Sequence, residues 1–247
     1  MTSLNFRIER VTFDKKETIK AAQKCLTEAQ LSLINPAFKL SVQYFFSQPK
    51  NLFIFYSFIV MVTLIMSKLF NFSMIKLTIL IGFLSTLIFV ILLYYLHRKA
   101  WFGFLNYVFE KSDLSDKLAN GFYSKDNNAF FIAYTPENEI ASMAAILIDE
   151  EKHVCAEEWI PRLEKDEALL LRVATVPKFQ GKGAAKAVLQ ACFNFAKEKN
   201  VKRIKLTQTN KQIPAYKLYK KLGFRTTRKN MIYNYIYFYI RLMEKEL

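Results

Sequence analysis

Residues 172–189 read RVATVPKFQGKGAAKAVL. The β-branched opening reads as the end of a strand, Pro177 to Lys182 as a loop, and the alanine-rich run from Gly183 as a helix. At the junction Gly181, Gly183, Ala184 and Ala185 have almost no side chains, so the backbone can approach a ligand closely. The first N–H groups of a helix have no intrahelical partner, the helix dipole places partial positive charge there, and Lys182 and Lys186 add full charges. This makes a site for an anion such as a pyrophosphate, although small residues also suit tight packing of a helix on a sheet. Two better-known phosphate loops do not match. The chain has no GxxxxGK[ST], and Gly181-Lys182-Gly183 lacks the third glycine and the spacing of GxGxxG.

Outward from this stretch, element types alternate. Ala168 to Val176 reads as a strand, Gly183 to Lys199 as a helix, Arg203 to Thr209 as a strand, Pro214 to Leu222 as a helix and Phe224 to Ile240 as two strands, which predicts an α/β sheet. Upstream, Ala129 to Tyr134 and Ile140 to Ile148 form a β-hairpin around Pro136-Glu137-Asn138-Glu139, and charged residues 149–167 form a loop. Residues 101–119 read as a helix stopped by Asn120-Gly121. At the start, Asn5 to Arg10 reads as a strand and residues 14–31 as a helix begun by Asp14.

The chain has 247 residues, 52% of them apolar, and a net charge of +15. Charge is distributed unevenly, because only Lys68 and Lys76 interrupt residues 51–96. Between Lys50 and Lys68 lie 17 uncharged residues and between Lys76 and His97 lie 20, which as helices reach about 25 and 30 Å at ~1.5 Å per residue. Both are apolar all round and need burial on every side, which a lipid bilayer supplies. The short connection, residues 69–75, makes them an antiparallel hairpin, so both termini share one side. Lys39, Lys50, Arg98, Lys99 and Lys111 on the outer flanks outnumber Lys68 and Lys76 in the connection, which predicts cytosolic termini. The opening residues MTSLNFRIER carry no apolar signal-peptide core. Asn71-Phe72-Ser73 is a glycosylation sequon expected to stay unmodified so close to the bilayer. Cys25, Cys155 and Cys192 show neither disulfide nor metal spacing, and a reducing compartment is expected.

Two motifs together carry a resemblance. Gln180, Gly181, Lys182, Gly183, Ala184 and Ala185 resemble the Q/R-x-x-G-x-G/A acetyl-CoA signature of the GNAT superfamily of N-acetyltransferases, with Pro177 three residues upstream. AYKLYKKLGF, residues 215–224, resembles the family's A-x-x-L-Y-x-x-x-G-F helix and strand. Gln212 stands where many members carry Asn, with Asn210 nearby, and Ala185 replaces a final Gly. A membrane hairpin after the first helix is similar to the camello-like branch, which includes cysteine-conjugate and aspartate N-acetyltransferases of the endoplasmic reticulum. The resemblance implies a mixed sheet flanked by helices, with 1–50 as the domain's first strand and helix, 51–96 as an inserted transmembrane hairpin and 97–247 as its remainder. It places the protein in that membrane, with the acetyltransferase domain cytosolic.

The resemblance further implies acetyl-CoA as cosubstrate, no metal, and direct attack of an amine on the thioester. Gln180 to Ala185 would hold the pyrophosphate, backbone N–H groups along Ala174, Thr175 and Val176 would polarise the carbonyl, and Asn210 or Gln212 would meet the thiol arm. Tyr219 would protonate the leaving thiolate, a step a phenol suits. Glu157, Glu158, Glu167, His153 and water are equal candidates for the base, and His97 reads as an interfacial residue. Arg172, a charge inside an apolar strand, needs a partner: a substrate carboxylate or a structural acid. A small amino acid or cysteine S-conjugate is the expected acceptor; a protein amine, or a non-catalytic coenzyme A-binding scaffold, is the alternative. Lys197, Lys199, Lys202, Arg203, Lys205, Lys217, Lys220 and Lys221 would serve a nucleic-acid binder, but no groove-reading or single-strand module accompanies them. They suit lipid headgroups or coenzyme A phosphates equally well.

Overall fold

A computed structural model describes residues 5–70, 74–148, 161–233 and 238–247 of the chain. The expectations for Asn71, His153, Cys155, Glu157 and Glu158 lie outside these residues. The elements run β1 (Arg7–Val11), α1 (Lys16–Ser47), α2 (Pro49–Phe70), α3 (Met74–Lys111), α4 (Ala119–Tyr123), β2 (Asn128–Tyr134), β3 (Ile140–Leu147), β4 (Glu167–Thr175), α5 (Ala184–Glu198), β5 (Arg203–Thr209), α6 (Ile213–Lys221), β6 (Arg225–Tyr233) and β7 (Phe238–Glu246). The strands form one seven-stranded mixed sheet in the order β1-β2-β3-β4-β5-β7-β6.

Helices cover both faces because the central strands alternate their apolar side chains between two clusters. On one face Ala168, Leu170, Ile204, Leu206 and Met243 meet Val188, Leu189, Cys192 and Phe193 of α5. On the other, Met143, Ala145, Leu147 and Leu169 meet Ile19, Ala22, Cys25 and Leu26 of α1, with Leu105 and Val108 from the end of α3. Cys25 and Cys192 are buried in these clusters, and burial pushes both thiols up, Cys25 to about 12.

Three local readings change. Asp14 does not cap α1: Lys15 holds that position, and the Asp14 carboxylate accepts the Thr12 hydroxyl at 2.6 Å. The helix also passes Leu31 and continues through Pro36 to Ser47, because Ile34, Ala37 and Ser41 remain buried. Asn120-Gly121 stops no helix. These residues lie inside the short α4, and the preceding helix ends at Lys111 instead, where Ser112 and Asp113 follow.

The hairpin expected over 51–96 corresponds to α2 and α3. Pro49–Leu69 and Lys76–Lys111 are each long and apolar enough to cross a membrane, and the most apolar stretch of each is almost entirely unburied within the chain. No proline separates Leu96 from Lys111, and α3 runs on through Gly103 without interruption from the apolar segment to the sheet. Phe38 of α1 meets Tyr94 of α3 edge to face, ring centroids 5.1 Å apart, where the two helices lie together.

Candidate active site

β4 and β5 are parallel, and their ladder covers only Glu167↔Arg203 to Leu170↔Leu206. Beyond it β4 stays paired with β3 as far as Thr175, and β5 with β7 as far as Thr209. The two strands therefore part, and the middle of the sheet opens into a wedge. A bulge in β4 accompanies the parting: Met143 faces Ala174 whereas Ala145 faces Leu171, so β4 carries one residue more than β3 over this stretch. Arg172, in the bulge, has a left-handed backbone with φ 54°.

The closed end of the wedge is fastened by Glu167, whose carboxylate meets Lys205 Nζ at 2.5 Å and Arg203 Nη1 at 3.1 Å. Burial alone would raise the Glu167 pKa. The hydrogen bonds from Lys205 and the Glu164 amide, with the charges of Lys205 and Arg203, outweigh it and hold the carboxyl below its ordinary value. Glu167 thus sits as a structural anion at the closed end, away from where a base would meet an amine.

At the open end β4 leads into a 3-10 turn, Pro177–Phe179, and then Gln180 to Gly183. Gly181 has φ 77° and Gly183, the N-cap of α5, has φ 93°, both in the region that glycine enters freely. Nothing lies within 4 Å of a Cβ built at either position, so the loop leaves room above its backbone. The first bond back into α5 runs from Ala187 N–H to Gly183 C=O, so the amides before it have no partner inside the helix. These open amides beside Lys182 fit the phosphates of coenzyme A.

Of the three β4 amides expected to polarise a carbonyl, that of Val176 is committed to Ala141 C=O at 3.0 Å. Ala174 C=O accepts from Ser142 Oγ at 2.8 Å. Strand alternation then turns the main-chain groups of Thr175 toward the wedge, where its C=O accepts from Gln180 Nε2 at 3.4 Å.

The opposite wall is the end of β5 and α6. Asn210 is joined to β7: its N–H donates to Tyr239 C=O at 3.0 Å and its Oδ1 accepts from Tyr239 N–H at 3.2 Å. Gln212 is the N-cap of α6, and its Oε1 accepts from Thr209 N–H at 3.0 Å. Tyr219 is 5% exposed and lies among α5 side chains, Cys192 included. Burial, with Cys192 second, pushes its phenol up, so it keeps its proton throughout the physiological range.

Arg172 has an acid partner within the protein. Its Nε donates to Asp113 Oδ1 at 2.8 Å and its Nη2 to Ser112 Oγ at 2.9 Å. Sequence reasoning missed Asp113, which lies 59 residues upstream. It also missed Lys211, between the two candidate contacts Asn210 and Gln212: this lysine is 4% exposed, and burial lowers its pKa to about 8. Trp101 Nε1 donates to His97 Nε2 at 3.1 Å, so that nitrogen is already engaged. Among the described residues no group of three or more His, Cys, Asp or Glu is placed to hold a metal ion.

The chain is similar to human N-acetyltransferase 8B, 23% identical over 141 residues that cover 57% of each chain. It is also similar to N-acetylaspartate synthetase of Rattus norvegicus, 28% identical over 132 residues, or 53% of this chain and 39% of that one. The match thus spans about half the length of these relatives or less. Among solved structures, a GCN5-related N-acetyltransferase from Kribbella flavida aligns with TM-score 0.43 and 16% identity, covering 54% of this chain and 77% of that one. The model of the acetyltransferase (GNAT) family matches residues 92–224, more than half of the chain. The chain belongs to the acetyltransferase (GNAT) family.

Proposed function

We propose that the protein transfers an acetyl group from acetyl-CoA to the amine of a small amino acid or cysteine S-conjugate, from a cytosolic domain anchored in the endoplasmic reticulum membrane by α2 and α3. The observation that carries this is the wedge between β4 and β5, which opens beside the uncapped amides of α5. The amides of Gly181 and of Gly183 to Ala185, with the side chains of Gln180 and Lys182, hold the pyrophosphate; acetyl-CoA bound there supplies a thioester carbon as electrophile. The Thr175 main chain faces the wedge and steadies the carbonyl oxygen as negative charge develops on it. The amine nitrogen bonds to the carbonyl carbon, the C–S bond breaks, and the thiolate takes the Tyr219 proton. The amine proton leaves to water or a base.

One relative is named N-acetylaspartate synthetase, which supports an amino acid as acceptor. The unburied faces of α2 and α3 and the cationic residues flanking them support the anchor and its orientation. The test is acetyl transfer by detergent-purified protein, scored as free thiol released from acetyl-CoA across amino acids, cysteine S-conjugates and peptides. Release with one small-molecule class is expected. Release with peptides alone would make it a protein acetyltransferase, and binding of coenzyme A without release for any amine would make it a scaffold.

A further inference from the structure

We infer that Asp113 is a positioning residue for acyl transfer: it holds Arg172 in the β4 bulge and so aims the main chain of the wedge wall. The inference rests on the acetyltransferase reading for its kinetic consequence and on geometry for the rest. A left-handed backbone at a long side chain is strained and persists only where its surroundings enforce it. At Arg172 a buried carboxylate contributes to that enforcement. Nε and Nη2 of Arg172 both donate to Asp113 Oδ1, and Nη2 also reaches Ser112 Oγ, whose hydroxyl donates to the same Oδ1 at 2.9 Å. The other oxygen, Oδ2, accepts the Tyr123 hydroxyl. Asp113 is 0% exposed and the Arg172 side chain 12%.

Both oxygens of a buried charge are thus committed, the arrangement in which an interior ion pair fixes geometry. Burial and then the Asp113 charge push the Tyr123 phenol up, which keeps it a donor to Oδ2. The position of Asp113 in the chain gives the clasp its reach. α3 ends at Lys111, so the carboxylate follows two residues after the long apolar helix, and Gln23 Nε2 of α1 donates to the next carbonyl, Leu114 C=O, at 2.8 Å. The wall that would face the thioester is therefore pinned to α1 and to the end of α3.

The test uses glycine, which adopts φ 54° without enforcement. Asp113→Asn keeps the size of the side chain and removes its charge. It is expected to lower kcat by about 10²-fold, the scale of a small misplacement at a reacting centre, with the coenzyme A Kd and binding stoichiometry within about twofold. Adding Arg172→Gly to that variant is expected to recover at least tenfold of the loss in kcat, since the bulge no longer needs the clasp. Arg172→Ala in the same background removes the same charge but keeps the φ strain, so rescue by Arg172→Gly that exceeds rescue by Arg172→Ala separates the clasp from relief of an unpaired charge. A single variant with unchanged kcat, or a double variant no faster than the single, overturns the inference. If the wild type releases no thiol, the acetyltransferase reading fails by itself, and amide hydrogen exchange over residues 171–176 decides instead. Faster exchange in Asp113→Asn, slowed again in the double variant, supports the clasp; unchanged exchange in Asp113→Asn overturns it.

Discussion

The ring of Tyr219 meets that of Phe224 at 5.7 Å and 62°, which ties the middle of α6 to the residue before β6. This contact belongs to the ring and not to the hydroxyl. Tyr219→Phe should therefore leave the thermal midpoint within a degree or two of wild type while kcat falls about 10²-fold or more, the range of a lost general acid. Thiol-release kinetics with the coenzyme A Kd measured in parallel check it; an unchanged kcat would remove Tyr219 from the chemistry.

Gly183 presents a separate test, because a methyl group there meets no neighbour yet must accept φ 93°. The strain is roughly 1–2 kcal/mol, so Gly183→Ala should weaken coenzyme A binding about tenfold by calorimetry. Saturating acetyl-CoA should restore most of kcat. A Kd equal to wild type would mean that the loop does not hold the pyrophosphate.

Glu167 gives the fold an acid sensitivity of known sign. Its folded pKa lies below the ordinary 4.5, so the folded state binds fewer protons than the unfolded one and the carboxylate stabilises at neutral pH. That contribution is lost as the pH falls below about 4.5 toward the folded value. The stability gap between wild type and Glu167→Gln, followed by thermal unfolding, should close over this interval. Lys205→Met, which leaves the carboxylate to Arg203 and the Glu164 amide, should lower the thermal midpoint at neutral pH and narrow its acid dependence.

Lys211 acts in the opposite direction. With a folded pKa near 8 against an ordinary 10.5, the folded state releases a proton that the unfolded state retains, so stability rises as the pH climbs from 8 toward 10.5. Lys211→Met should remove this rise, so that its stability relative to wild type falls between pH 8 and 10.5. Thermal midpoints of the two proteins across this range decide it.

Much of this was written locally in the residues. Arg203 to Thr209 has the period of a half-buried strand and forms one with those limits, and Gly183 marks the start of α5 because the loop needs its backbone. What stayed hidden depended on distance. Arg172 advertised the need for a partner, yet nothing near it in the chain could say that Asp113, before the β2–β3 hairpin, would fill it. The reach of α3 past Leu96 was equally obscure, since His97, Arg98 and Lys99 mark the edge of an apolar segment but do not break a helix. Asn120-Gly121 misled because residue types that end helices also occur in short ones.

The β4–β5 ladder also bears on how the sheet is completed. The β2–β3 and β6–β7 pairs join strands adjacent in sequence, whereas β4 finds β5 only after α5 has crossed over, with Glu167 opposite Arg203. Contacts this remote must overcome loop-closure entropy before they return any stability. The parallel seam shares this cost with the β1–β2 and β5–β7 pairs, and it alone among them makes the wedge. A molecule halted before that seam forms would hold nearly its full helix and strand content and still lack the wedge, so coenzyme A retention reports the end of folding where circular dichroism does not.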